Sequence, residues 1–390
     1  MKIIIYIIGT IILICGCKQH QKYSTLSSTV INPLEDAITI SSFDKYIDSL
    51  QVIQLEASPQ SFITYIKKVL ITQNKDFIIL NSTGVLVFSQ AGNFLFKIGE
   101  IGRGPEEYIA ARDICITNDY KYLLVLDCTN QVIKYNIQNG EFQERIIPEM
   151  DDPKKLYLDF GEICPSNNGG FFLYCCNPPD ISDFNQDFYC LIEFDKNGNF
   201  LNKYLKRKDF VFPSNIISQS YDNNYLIRPQ EGDNICYKII NDSIIPIVTI
   251  DFKDKYIPLH HVYPKPGEGF PIQEYMFSDY YKLPIYIHDT QDLFYFGCCA
   301  PKGKDTYFLF SNKSLKGVRW ENDPIEEDIF IFEASDSNYL YGVYNDYKEY
   351  TSQERQNMKN PLKRYILTKT NISLITDQQN PAIIKMKFKL

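Results

Sequence analysis

Short runs of apolar residues, separated by turn residues, recur along most of the chain. In the first unit Phe77–Leu80 and Val85–Phe88 flank a turn that ends at Gly84, and a second turn at Gly92 leads into Phe94–Ile98. Runs rich in Val, Ile, Leu and Phe and bounded by Gly or Asn are typical of β-strands joined as hairpins. The pattern therefore predicts antiparallel strand pairs rather than helices.

The same unit repeats. Tyr122–Asp127 and Val132–Tyr135 form a second hairpin pattern, and its turn glycine, Gly140, occupies the place of Gly92. Four further hairpin patterns lie at 170–200, 224–239, 292–310 and 339–367, the last with a predicted strand at Arg364–Leu367. Self-similar strand units of this length predict the blades of a propeller.

The run Val52–Leu55 precedes the first unit and is a spare N-terminal strand. In a propeller it would complete the last blade and close the ring. We therefore predict an all-β fold, a six-bladed β-propeller of four-stranded antiparallel blades spanning 45–390. A β-sandwich pair or a β-solenoid is the structural alternative.

The segment Gly99–Tyr108 combines three glycines and a proline between two strand patterns. It lacks the Gly-Lys-Ser/Thr of a phosphate-binding P-loop, and no helical pattern follows it to supply a helix N-terminus. We interpret it as the connection between the first two blades. Arg103 in this loop is a candidate ligand-binding residue at the channel mouth, because a guanidinium binds carboxylates and phosphates.

Residues 1–16 have the features of a secretory signal peptide: Lys2, an apolar stretch from Ile3 to Ile14, and then Gly16 before Cys17. This junction resembles a bacterial lipobox, so Cys17 is predicted to be lipidated, with a cleaved signal peptide of the ordinary kind or a short anchor as the alternatives. The polar residues 17–44 are predicted to be a tether. The prediction is a lipid-anchored protein of the cell envelope, on the outer membrane, with the membrane face left open.

The formal charge of −8, with no long run of Lys or Arg, argues against nucleic acid as a partner. Nine cysteines follow Cys17, and the adjacent pairs Cys175–Cys176 and Cys298–Cys299 lie in apolar runs. Neighbouring strand residues point to opposite faces, so neither pair can chelate one metal. Small buried apolar residues are the main interpretation, and one or two disulfides the alternative.

Several of these features together resemble the six-bladed β-propeller lipoproteins of Bacteroidota, relatives of the NHL-repeat propellers. The matching segments are Gly84–Ile98, Gly99–Tyr108, Leu124–Asp127 and the tyrosine-rich segment before Leu293–Phe296. The resemblance extends over 45–370 and is weakest in the last two units. It implies the propeller architecture and an envelope location, and it carries no shared catalytic motif.

No catalytic or metal-binding motif stands out. The four histidines lack zinc-ligand spacing, and Asp195–Asn199 departs from the EF-hand pattern and is predicted to be a hairpin turn. We predict no cofactor. A cation such as Ca²⁺, held in the channel by acids from several blades with Asp127 as a candidate, stays open as an alternative.

The long segment between Tyr256 and Tyr286 is rich in aromatic residues, proline and glycine. Long aromatic loops on a rigid scaffold are typical of binding faces, although they also form lids that pack on a blade. The predicted ligand-binding residues there are Tyr263, Phe270, Tyr275, Tyr280 and Tyr281.

The function predicted from the sequence is binding of a glycan, a peptide or an envelope protein, with no evident catalytic motif. The first alternative is a metal-dependent hydrolase or lyase of the NHL-like or lactonase-like kind. The second is a structural subunit of an outer-membrane complex.

Overall fold

The computed structural model describes residues 28–150, 159–177, 189–206, 215–230, 234–258, 261, 272–282, 284–322, 330–345, 350–370, 372 and 379–390. Within them the strands form six sheets, and the first strands of consecutive sheets contact one another around a ring.

Three strands and a short helix precede the first blade: β1 (Thr29–Ile31), α1 (Pro33–Asp36), β2 (Ala37–Thr39) and β3 (Ile47–Gln54). Blade 1 contains β4 (Ile66–Ile71), β5 (Phe77–Asn81), β6 (Gly84–Phe88) and β7 (Phe94–Ile98). Blade 2 contains β8 (Ala111–Ile116), β9 (Tyr122–Asp127), β10 (Val132–Asn136) and β11 (Phe142–Ile146). Blade 3 contains β12 (Asp159–Pro165), β13 (Phe171–Asn177), β14 (Tyr189–Phe194) and β15 (Phe200–Lys206).

Blade 4 contains β16 (Ile217–Gln219), β17 (Tyr225–Ile227), β18 (Ile235–Ile240) and β19 (Ser243–Ile250). Blade 5 contains β20 (Pro284–Asp289), β21 (Leu293–Cys299), β22 (Asp305–Ser311) and β23 (Gly317–Asn322), and α2 (Ile272–Met276) precedes it. Blade 6 contains β24 (Phe332–Ser335), β25 (Leu340–Tyr344) and β26 (Ala382–Phe388), with α3 (Ser352–Asn357) and α4 (Pro361–Lys369) inserted before β26. Two 3₁₀ turns lie at Lys253–Lys255 and Pro301–Gly303.

The six-bladed propeller is confirmed, and so is its closure by the N-terminal strand. β3 pairs antiparallel with β26 over its whole length, so the chain start supplies the outer strand of blade 6. The first strands β24 and β4 then meet and complete the ring. This arrangement leaves no long open edge between the first and last blades.

The N-terminal segment also packs on two other blades, which the sequence analysis did not anticipate. β1 pairs parallel with β19 and β2 pairs parallel with β23, so blades 4 and 5 each have a fifth strand. The folded domain therefore begins before the predicted boundary at residue 45. The part of the predicted tether from 29 to 39 lies on the propeller.

The helix α4 replaces the strand predicted at Arg364–Leu367, and that prediction was wrong. Asn360 caps the helix, because its side-chain oxygen accepts hydrogen bonds from the backbone N–H of Leu362 (2.9 Å) and Lys363 (3.1 Å). Pro361 follows at the first helical position, where its missing N–H costs nothing. Leu362 and Ile366 are buried one turn apart on one face.

The segment Gly99–Tyr108 joins β7 to β8, as predicted for a connection between blades. The Tyr108 hydroxyl, fully buried, donates to the Ile98 carbonyl (3.2 Å) and accepts from the Val85 N–H (3.1 Å). Arg145 donates to the carbonyls of this loop, including that of Pro105 (3.2 Å). The loop is therefore held by buried polar contacts to both blades.

Candidate functional site

The candidate site is the central channel, where a cavity of about 450 Å³ lies. The first strand of every blade contributes to its wall. One polar residue from each blade illustrates the arrangement: Lys68, Asp113, Glu162, Ser218, His288 and Glu333.

Five of the six first strands carry a β-bulge near the end where they begin. The bulged positions are Lys67, Arg112, Gly161, Ile285 and Glu333. A bulge leaves one residue outside the regular ladder and redirects its side chain, and bulges are frequent beside functional sites. Four of these five residues, all except Ile285, line the cavity.

Bulges and inter-blade connections share one end of the ring. Because each blade has four antiparallel strands, its outer strand ends where the next first strand begins. Tyr65, which lines the cavity at this end, is 62% exposed, and Lys67 is exposed too. We call this end the mouth of the channel.

The opposite end is narrowed by contacts between blades that are not neighbours. Tyr225 of blade 4 donates its hydroxyl hydrogen to the Ile116 carbonyl of blade 2 (3.0 Å). The side-chain amide of Asn223 donates to the carbonyl of Asn118 (3.2 Å). A ligand would therefore enter through the mouth.

Inside the channel, a buried ion pair joins blades 1 and 2. Lys68 Nζ lies 2.7 Å from Asp113 Oδ1, and Asp113 Oδ2 accepts the backbone N–H of Ile163 in blade 3 (2.9 Å). Burial disfavours the charged amine, but the negative charges of Asp113 and Glu162, together with the hydrogen bond to Asp113, outweigh it and raise the pKa of Lys68. Both charges are therefore compensated within the protein.

Blades 3, 4 and 5 are joined to one another in a similar way. Glu162 accepts the backbone N–H groups of Ile216 (2.8 Å) and Ile217 (2.7 Å), and the Ser218 hydroxyl donates to the Ile287 carbonyl (2.7 Å). The inner edge of a first strand has backbone groups without a strand partner, and these side chains satisfy them. Asp113 and Glu162 therefore have a structural role that accounts for their position.

Glu333 differs from these acids, because it accepts no hydrogen bond from any described residue. Burial raises the pKa of its carboxyl to about 7. Tyr286 lies close by: its pKa is raised by burial and by the Glu333 charge. At neutral pH the protonated and the ionised forms of Glu333 are therefore present in comparable amounts.

His288 is a second polar group with unused capacity. Its side chain is only 4% exposed, lines the same cavity, and has no partner for Nδ1 among the described residues. Burial lowers the pKa of the imidazole to about 4, so the ring is neutral at pH 7. The other ring nitrogen donates to the Phe332 carbonyl, so Nδ1 of the neutral ring can accept one hydrogen bond.

The residues predicted from the aromatic segment lie elsewhere. Tyr275 is buried in a small cluster with Ile257, and the Tyr281 ring stacks on Phe252 at a centroid distance of 4.6 Å. Tyr280 is half-buried beside that cluster. None of these three residues belongs to the described lining of the cavity.

Three predicted residues, Cys17, Tyr263 and Phe270, lie outside the described residues. Arg103 is exposed on the connection between blades 1 and 2 and is likewise absent from the described cavity lining.

Asp127, the candidate acid for a channel cation, instead accepts hydrogen bonds from the turn that follows β9 and from the connection that precedes β8. It accepts the Ala110 N–H (2.9 Å) and the Thr129 hydroxyl (2.7 Å). Across the described ranges, no three His, Cys, Asp or Glu side chains come together as a metal site would require. Within those same ranges no helix has the length and apolar character needed to cross a membrane.

Sequence reasoning missed Glu333, His288 and Lys67. None of the three belongs to a recognisable sequence motif, and the three lie far apart along the chain. A usable signal was the charged residue interrupting an apolar first strand, as in Ile66-Lys67-Lys68-Val69 and Phe332-Glu333-Ala334.

A family model described as "Domain of unknown function (DUF4934)" matches residues 28–387. The chain belongs to this family. The matched region of the DUF4934 chain includes β1 and β2, in agreement with a folded domain that starts before residue 45. A search of curated proteins finds no match.

A solved structure shares the fold of the DUF4934 chain. A Bacteroides fragilis protein described as a "Putative exported protein" has 15% identity and a TM-score of 0.69, with 93% of this chain and 100% of that chain covered. BamB from Moraxella catarrhalis has 10% identity and a TM-score of 0.42, with 87% and 98% covered. A protein described as a "putative gluconolactonase" has 10% identity and a TM-score of 0.43, with 91% and 97% covered.

Proposed function

We propose that this DUF4934 propeller is a lipid-anchored protein of the cell envelope that binds a small polar ligand, a glycan or a peptide, in the mouth of its channel. The observation that carries the proposal is the cavity of about 450 Å³ with Glu333 unpaired in its wall. A cavity with a few convergent polar groups is the usual form of a small-ligand site.

The polar groups at the mouth support binding rather than structure alone. Glu333 and His288 have unused hydrogen-bonding capacity, although burying such groups without partners costs free energy. Tyr65 and Tyr286 add two aromatic rings with hydroxyl groups. Rings and hydroxyls of this kind suit both sugar rings and peptide backbones.

The envelope location rests on the N-terminal sequence. Cys17 follows an apolar stretch and Gly16, as lipidated cysteines do in the lipobox pattern. Several acyl chains would hold the protein stably on a membrane, because each buried CH₂ contributes about 0.8 kcal/mol.

A second candidate function is acid–base catalysis in the same cavity. The carboxyl of Glu333, with a pKa of about 7, can both donate and accept a proton at neutral pH, as a general acid or base must. The catalytic candidate predicts chemical change of a bound ligand by the native protein and none by the Glu333→Gln variant, as followed by NMR over time.

The binding proposal is tested with the full chain, purified from membranes in detergent. Mixtures of oligosaccharides and short peptides are added, and saturation-transfer NMR identifies any that bind. We expect Tyr65→Ala to weaken binding about tenfold, because one aromatic contact is lost. Phe277→Ala is the matched control, since Phe277 is 61% exposed and is not part of the described cavity lining.

If Phe277→Ala weakened binding and Tyr65→Ala did not, the aromatic segment would be the binding site and the channel proposal would fail. The channel proposal would also fail if neither variant changed the binding of a confirmed ligand.

A further inference from the structure

The mouth of the channel carries unlike charges on neighbouring blades. Lys67 occupies the bulge of blade 1, and Glu333 occupies the bulge of blade 6. Their strands, β4 and β24, are in contact where the ring closes. A positive and a negative group therefore line one stretch of the wall.

The two groups do not neutralise each other. Among the described residues no ion pair joins them. Lys67 Nζ lies 3.4 Å from the Ala111 carbonyl, on the side of blade 2 and away from blade 6. Deeper in the channel, Lys68 is already compensated by Asp113 at 2.7 Å. Glu333 therefore keeps an anionic oxygen pair, and Lys67 keeps an ammonium group, for a ligand to use.

On this basis we infer that the mouth binds a zwitterion, a free amino acid or a short peptide, with the ligand ammonium on Glu333 and the ligand carboxylate on Lys67. The inference rests on the proposed binding function and narrows its ligand class. A neutral sugar would pair with neither charge, whereas a zwitterion forms a charge-assisted contact with each. An amino sugar would satisfy Glu333 and leave Lys67 without a partner.

Tyr65 and Tyr286 fit the same ligand. Both line the cavity beside Glu333, and each has a ring that can attract an ammonium group as well as a hydroxyl that can accept a hydrogen bond from it. His288, further along β20 than Tyr286, adds a neutral ring whose Nδ1 can accept a hydrogen bond from a peptide N–H.

Binding of an ammonium group to Glu333 is coupled to its proton. The charged and titratable side chains that line the cavity on the strands next to β24 are Lys67 and Lys68 on β4 and Tyr286 and His288 on β20, with Tyr65 just before β4. On β21, burial and to a smaller extent the Glu333 charge raise the pKa of Tyr295. The raised pKa of Lys68 keeps it charged near pH 7, and the raised pKa of Tyr286 and the lowered pKa of His288 keep both of these groups neutral. Glu333 is therefore the group that releases a proton on binding.

The test uses the full chain in detergent and four probes: triglycine, N-acetyl-triglycine, triglycine amide and a glucosamine trimer. Isothermal titration calorimetry at about pH 7 in two buffers of different ionisation enthalpy measures both affinity and proton release. We expect triglycine to bind about tenfold or more tightly than the acetylated and amidated forms, because each loses one charge-assisted contact. We expect triglycine and triglycine amide, which both keep the ammonium group, to release a proton from Glu333 on binding, and N-acetyl-triglycine to release none.

Two variants assign the contacts. Glu333→Gln should bind triglycine and N-acetyl-triglycine equally and should abolish the proton release. Lys67→Met should bind triglycine and its amide equally. Glu321→Gln, which alters an exposed acid on the outer strand β23, should behave like the native protein.

Equal binding of triglycine and N-acetyl-triglycine by the native protein would overturn the inference. Binding of the glucosamine trimer or another glycan without triglycine would also overturn it, and the proposed binding function would stand. If no glycan or peptide bound at all, the proposed function itself would fail.

Discussion

Lys68 of blade 1 and Asp113 of blade 2 form an ion pair of 2.7 Å inside the channel, and both side chains are almost fully buried. Removing one partner would leave the other charge uncompensated, which costs about 3–5 kcal/mol. We expect Asp113→Ala to lower the free energy of unfolding by this amount, as measured by urea denaturation.

An exposed pair of similar geometry provides the control. Lys134 Nζ lies 2.8 Å from Glu144 Oε1, but the Glu144 side chain is 47% exposed. Because solvent screens exposed pairs, Glu144→Ala should cost less than about 1 kcal/mol. Equal costs for the two substitutions would mean that the Lys68 charge is relieved by water and that the pair does not tie the blades.

Gly140, in the last turn of blade 2, has a φ of +73° and lies against blade 1. A Cβ at this position would be 2.8 Å from the Lys97 carbonyl oxygen. Gly140→Ala should therefore cost about 2–4 kcal/mol of unfolding free energy, from backbone strain and steric overlap together. The measurement is again urea denaturation.

Gly169 separates the two causes. It has a φ of +84°, and nothing lies within 4 Å of an added Cβ. Gly169→Ala should cost about 1 kcal/mol, the backbone strain alone. If Gly140→Ala were no more costly than Gly169→Ala, the contact between the blade 2 turn and blade 1 would not be important for stability.

Ile31 in β1 is 2% exposed and packs in the apolar cluster between blades 4 and 5, whereas its neighbour Val30 is 59% exposed. Ile31→Ala should lower the unfolding free energy by about 2–4 kcal/mol, and Val30→Ala should change it by less than about 0.5 kcal/mol. Thermal unfolding of the three proteins measures the difference. Equal behaviour of the two variants would show that β1 adds no stability to the propeller.

Glu333 gives the stability a pH dependence that Glu333→Gln should remove. Its pKa is about 7 in the folded protein and about 4.5 unfolded, so the folded state holds its proton more tightly. The native protein should therefore lose stability relative to Glu333→Gln between about pH 5 and about pH 8, by about 1–3 kcal/mol. His288 makes the opposite contribution, because its lowered pKa makes stability rise with pH. This contribution cancels when the unfolding free energies of the native protein and the variant are subtracted at each pH. A constant difference across this range would contradict the assigned burial of Glu333.

Cys17→Ala should move the protein from the membrane fraction to the soluble fraction, because the acyl chains would have no attachment site. Cell fractionation followed by immunoblotting measures the distribution. Cys15→Ala, two residues earlier in the apolar stretch, is the control and should leave the protein on the membrane. Unchanged membrane association of Cys17→Ala would exclude lipidation at this residue as the anchor.

The propeller was predictable from the sequence because its blades are local. Each hairpin, such as Phe77–Phe88, is defined by apolar runs and turn glycines that lie within a few residues of each other, and the same pattern recurs six times. The closing strand was visible for the same reason. The apolar run in Pro361–Lys369 is too short to distinguish a helix from a strand, and only the capping residues Asn360 and Pro361 indicate a helix there.

The candidate site was not predictable in the same way. Lys67, His288 and Glu333 come from blades 1, 5 and 6, and only closure of the ring brings them to one cavity. Tyr275 and Tyr281 were predicted from the sequence to bind a ligand. In the structure they pack on neighbouring apolar and aromatic residues instead. Local patterns of polarity and turn residues thus determine the strands, the blades and their number. The tertiary structure alone decides which charged groups find partners and which remain available, since that depends on contacts between different blades, such as the one between Lys68 and Asp113.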